Sequence, residues 1–157
     1  MFITLMINMN PLTHFLFAYF LSDVLIGNSD QYLPVLFVSS TFIDLDHIFY
    51  LFKNFREVLR TRRFGSGGRT RIHELYGLSL FSMVLSVIYL VYPKILVRFF
   101  IVGVMSHYFL DFISGYFRPF YPFSGTEVFL GVIPDDFRVH VEVLITIILG
   151  GYFWLTL

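Results

Sequence analysis

Residues 95–113 read Ile-Leu-Val-Arg-Phe-Phe-Ile-Val-Gly-Val-Met-Ser-His-Tyr-Phe-Leu-Asp-Phe-Ile, and the way this stretch is taken decides the fold. Its apolar run predicts one uninterrupted helix. At about 1.5 Å per residue such a helix approaches the ~30 Å of a bilayer's hydrocarbon. Yet its last third carries His107 and Asp111, four residues apart and therefore on one helical face. Polar groups at membrane depth are costly, on the order of 2.5–3.5 kcal/mol for an Asp at a helix centre. They persist when paired, hydrated or bound to a cation.

Working outward, Tyr92-Pro93-Lys94 makes a tight turn, and a third helix is expected before it, from about Ile72 to Val91, with Thr70 as its cap. Further upstream, Asn10-Pro11 reads as the cap and first position of a first helix that ends at Gly27-Asn28. A second apolar stretch covers about Tyr32 to Phe52. Downstream, Pro119, Pro122 and Pro134 forbid a single helix over Ser114 to Arg138. The aromatic and proline content there suits an interfacial or re-entrant loop packed on protein. Val139 to Leu157 closes the chain as a fifth apolar helix. Met1–Met9 has neither a basic start nor a small-residue cleavage site, so a removable signal peptide is not expected.

Composition agrees with a membrane setting. Of 157 residues, 57% are hydrophobic and 14% charged, against roughly 25% charged in soluble domains, and mean hydropathy is +0.75. That excludes a disordered chain, a basic nucleic-acid-binding domain and an ordinary cytosolic enzyme. The fold class expected is an all-α polytopic helical bundle with about five membrane helices, forming a single domain over 1–157. Cysteine is absent, so any metal must be held by His, Asp and Glu.

The basic residues orient this bundle. Lys53, Arg56, Arg60, Arg62, Arg63, Arg69 and Arg71 fall in the loop after the second helix, and Arg118 and Arg138 in the loop after the fourth. Only Lys94 and Arg98 lie near the other side. The positive-inside rule then puts both long loops in the cytoplasm. On that topology all five histidines come out near the cytoplasmic leaflet. By default the 53–71 loop sets topology and contacts anionic lipid. A functional role would have Arg69 or Arg71, with Arg118, clamp a phosphate.

His14, Asp44, His47, His73, His107 and Asp111 are the candidate metal ligands. Asp44 and His47 are three apart, about 60° around a regular helix, whereas Asp46 lies about 160° from Asp44. Asp44 and His47 are therefore expected to bind or bridge metal, and Asp46 to orient them or to serve a second ion. His and Asp without Cys suit zinc, or manganese or iron, and the ligand count allows two ions. A carboxylate not engaged by metal would act as general base, and Asp46 and Glu74 are the candidates. Each residue also has a plainer reading. His14 can sit at headgroup level, Glu74 can favour a helix dipole, and His140 and Glu142 are read as residues that open the last helix. Asp23 is expected to be solvated at the outer end of the first helix.

The series Thr13-His14, Asp44-Leu45-Asp46-His47, His73, Ser106-His107-Tyr108-Phe109-Leu110-Asp111 and Pro119 to Ser124 resembles the YdjM-like family of inner-membrane metal-dependent hydrolases, over about residues 13 to 125. In that family His-Arg-Gly often precedes a Thr-His pair, whereas here Arg69-Thr70-Arg71-Ile72-His73 keeps only the final histidine. More distantly, the ligand order is similar to that of all-helical zinc-dependent phospholipase C enzymes. The resemblance implies a multi-pass inner-membrane protein with a metal-dependent hydrolase activity, its site toward the cytoplasmic leaflet. Membrane lipids are the expected partners, and the expected substrate is a lipid or membrane-associated (phospho)ester. A divalent-cation transporter would use the same ligands but needs a polar path to the far side. A scaffold would need no metal.

Overall fold

The computed structural model describes residues 10–45, 47, 52–53, 71–130, 132–134 and 137–157. Asp46 and residues 54–70, which hold most of the basic loop, lie outside them. Five α-helices are complete among the described residues: α1 Pro11–Leu25, α2 Leu33–Thr41, α3 Leu75–Val91, α4 Ile95–Ser114 and α5 Arg138–Thr156. α4 and α5 are long and apolar enough to cross a membrane, while α1 and α3 are shorter apolar helices.

α1 starts where its sequence says. Asn10 caps it, its side-chain oxygen accepting from the Thr13 amide at 2.9 Å, and Pro11 opens the first turn, where its missing N–H costs nothing. Gly27 at φ 81° and Asn28 at φ 54° end it in the left-handed region.

The second helix is interrupted rather than regular. A 3₁₀ turn, Ser29–Tyr32, leads into α2, whose α-helical geometry gives way after Thr41 to a second 3₁₀ turn over Phe42–Asp44, and Leu45, His47, Phe52 and Lys53 are α-helical again. The hydroxyls of Ser39, Ser40 and Thr41 bond back to the carbonyls of Leu36, Phe37 and Phe37, which perturbs a helix. The Ser40 carbonyl in turn accepts from His107 Nδ1 at 2.7 Å. α3 also begins later than expected, at Leu75 rather than Ile72, because Arg71–His73 forms a 3₁₀ turn.

α4 is the hub, packed against α1, α2 and α3, and α5 lies on α1. Within its apolar window 44% of α4 is buried, against 11% of α5, so α4 is the core and α5 the outer layer. Where lipid tails compete with apolar side chains, close backbone approach matters more than apolar area. Gly103 provides it: a Cβ there would stand 1.9 Å from Ser39 Oγ and 2.8 Å from Ser39 Cβ. Around this crossing Ala18, Tyr19, Leu36 and Phe99 are fully buried, with the Tyr32 ring stacked on Phe99 at 4.2 Å. Toward the other end Ile43, Leu85, Val104 and Tyr108 make a second core. The 114–138 stretch is tied by a two-residue antiparallel ladder, β1 Tyr116–Phe117 with β2 Val128–Phe129.

Candidate metal centre

One end of the bundle collects the start of α1, the end of α2, the turn before α3 and the end of α4. Each brings a ligand-type side chain. His14 stands in the first turn of α1. Asn10 holds that start against α5, its backbone N–H and side-chain amide donating to Glu142 Oε1 at 2.7 and 2.8 Å, and Thr13 Oγ1 meets Thr146 Oγ1 at 2.7 Å. Asp44 closes the 3₁₀ turn after α2. Asp44 Oδ1 lies 3.8 Å from Nε2 of His47, three residues further on. His73 ends the turn before α3, where the Tyr108 hydroxyl donates to the Ile72 carbonyl. Gly77 lets that turn pack on α3, since a Cβ there would fall 1.9 Å from the Ile72 carbonyl oxygen.

Six predicted residues therefore converge. His14 Nε2 is 3.6 Å from Asp111 Oδ1, and His107 Nε2 is 3.6 Å from Asp111 Oδ2. Asp44 Oδ1 lies 3.5 Å from His73 Nε2 and 3.7 Å from His107 Nε2. The His14 and His107 rings stack at 4.0 Å, and those of His47 and His73 tilt at 4.7 Å. His14, His73, His107 and Asp111 are at most 1% exposed, and Asp44 is largely buried.

His73 Nε2 and Asp44 Oδ1, at 3.5 Å, make a long hydrogen bond, and the other separations exceed the usual range of about 2.7–3.2 Å. They are close to the spacing of ligands around one cation: with metal bonds of ~2.0–2.1 Å, a tetrahedral edge is ~3.3 Å. The ring of His107 is aimed the same way. A carbonyl accepts only, so His107 Nδ1 donates to Ser40, and Nε2 faces the oxygens of Asp44 and Asp111. His14 Nδ1 and Nε2, His107 Nε2 and Asp44 Oδ2 are buried with no hydrogen-bond partner. A cation fits donors of this kind, and His14, His107 and Asp111 form one set that could hold it and Asp44, His47 and His73 another.

Other candidates lie elsewhere. Glu74 adjoins His73, but its carboxylate takes Nε of Arg118 at 2.8 Å and the Arg118 backbone N–H at 2.5 Å. The Arg118 guanidinium also lies over the Tyr121 ring, 4.6 Å from its centre. His140 is exposed and outside the cluster. Glu142 does more than open α5, since it anchors Asn10. Asp46, Arg69 and the side chain of Arg71 lie outside the described residues. Asp23 accepts from the Tyr152 hydroxyl at 2.6 Å. The Ser40 carbonyl, which sets the His107 tautomer, left no signal in the sequence, because a backbone acceptor depends on where the helix breaks.

The model of the family described as YdjM inner membrane protein matches residues 9–156 of the chain. No curated protein and no solved structure matches it.

Proposed function

We propose that the chain, which belongs to the YdjM inner membrane protein family, is a membrane-bound metal-dependent hydrolase of lipid or membrane-associated esters, phosphoesters above all. The observation that carries the reading is the set of buried His–Asp separations of 3.5–3.8 Å. They are close to the spacing at which ligands surround one cation. His14, Asp44, His47, His73, His107 and Asp111 hold it, zinc before manganese or iron. When bound, such an ion lowers the pKa of water toward ~7 and so supplies hydroxide at neutral pH.

The chain's own groups do the rest. The Ser40 carbonyl fixes the His107 ring so that Nε2 faces the site. The apolar walls of α1 and α4 keep bulk water out. Asp46 and Glu74 are the candidates to take a proton from the attacking water, and Asp46 is preferred because Arg118 already engages both oxygens of Glu74. Arg118, about one-fifth exposed beside Glu74, supplies positive charge for a phosphate.

The bundle is read as polytopic, with five spans and this site at the cytoplasmic leaflet, on the strength of the basic loops. A cysteine introduced at position 126 is then labelled from the cytosolic side. Labelling from outside overturns that orientation. A transporter would need polar groups toward the far side, and neither α3 nor the part of α5 beyond Glu142 carries an ionisable residue other than tyrosine.

The test is metal analysis of the purified protein together with hydrolysis of a chromogenic phosphodiester and of phospholipid. Bound zinc or manganese, metal-dependent turnover and its abolition by His107→Ala are expected. Metal without turnover on a broad ester panel overturns the hydrolase reading in favour of transport. Metal-free protein at full stability overturns the metal centre as well and leaves a scaffold.

A further inference from the structure

We infer that the centre is dinuclear, with the Asp44 carboxylate shared between two divalent ions. The inference rests on the metal-centre reading above and adds to it the number of ions and the division of the ligands. The six side chains fall into two sets of one composition, two histidines and one aspartate: His14, His107 and Asp111, and Asp44, His47 and His73. Within each set the ligand atoms lie within 4.8 Å of one another. Three protein ligands and one open position is the count of a catalytic zinc site. Six on one ion would fill an octahedron and leave no place for water or substrate.

The sets are joined at one carboxylate. Asp44 Oδ1 is 3.5 and 3.8 Å from His73 and His47 of its own set, and 3.7 Å from His107 of the other. Its Oδ2 is buried without a hydrogen-bond partner, so a second oxygen is available to the same pair of ions. Ring positions follow the division, with His14 stacked on His107 at 4.0 Å, His47 against His73 at 4.7 Å, and the wider His73–His107 separation of 5.7 Å between the sets. Two-metal sites hold their ions about 3.5–4 Å apart and clamp both the attacking and the leaving oxygen of a displacement, chemistry suited to a phosphodiester.

Full-length protein is purified in detergent, stripped, reloaded with Mn²⁺ or Zn²⁺, and measured by elemental analysis and by electron paramagnetic resonance of the manganese form. Two ions per chain and an exchange-coupled manganese signal are expected. Asp111→Asn and His73→Gln should each fall to one ion and give the six-line spectrum of isolated Mn²⁺. Asp44→Asn should lose the coupling in protein that remains monodisperse. One ion per chain in the unmodified protein, with an uncoupled spectrum, overturns the dinuclear inference and leaves the metal centre standing. No bound metal overturns both. The wild-type stoichiometry and spectrum decide the question even where a variant fails to fold.

Discussion

The bundle carries polar side chains at both ends, and the two ends are built differently. Away from the ligands, the Tyr152 hydroxyl meets Asp23 at 2.6 Å, Tyr19 meets Thr156 at 3.0 Å, and Ser22 meets Ser29 at 3.0 Å. All are closed hydrogen bonds. At the ligand end the histidines and aspartates stand 3.5–3.8 Å apart, inside a ring of closed contacts, Asn10 with Glu142 and Arg118 with Glu74. The same helices thus bring polar groups to contact in one place and hold them apart in another. Loose packing does not account for the difference, since the open end is at least as deeply buried as the closed one. Closed contacts lock helices together, and open ones leave space for an ion.

Breaking the open end has the largest expected effect. Asp111→Ala lowers bound metal and cuts phosphoester hydrolysis on the order of 100-fold or more, since even partners that only orient a ligand are worth about 10–100-fold. Elemental analysis and a chromogenic assay measure both. Next comes the ring around it. Arg118→Ala leaves the Glu74 carboxylate buried without its cation, a cost of about 3–5 kcal/mol. Adding Glu74→Gln recovers part of it, as read from the denaturant midpoint. Gly77→Ala drives a methyl into the Ile72 carbonyl and costs about 1–3 kcal/mol by overpacking. Because that turn places His73, metal content falls along with stability. The smallest effect belongs to the closed end: Tyr152→Phe lowers the melting temperature slightly and leaves metal content unchanged. Equal metal loss in Tyr152→Phe and Asp111→Ala would erase the distinction between the ends.

Much of this frame is legible in the chain. Asn10-Pro11 and Gly27-Asn28 mark the limits of α1 because capping and left-handed backbone are local matters. The 95–113 stretch predicts α4 to within a residue. The spacing of His107 and Asp111, four apart on one helix, is legible too, and the two stand 3.6 Å apart. What escapes is decided by contacts distant in sequence. The switch to 3₁₀ geometry at Phe42 comes next to a contact of the Ser40 carbonyl with His107, 67 residues away. The ion pair of Glu74 involves Arg118, 44 residues away. Glu142 reads as a helix-dipole residue until Asn10, 132 residues distant, is seen to donate to it.

The hydrogen bond from His107 to Ser40 has a further consequence. The acceptor is a backbone carbonyl, so the aim of the His107 ring toward Asp44 and Asp111 is set by the course of α2 and not by the side chain at position 40. Ser40→Ala should therefore leave metal content unchanged, while a change that shifts the end of α2 should lower it. The path of one helix and the readiness of a ligand on another are joined through a single main-chain oxygen.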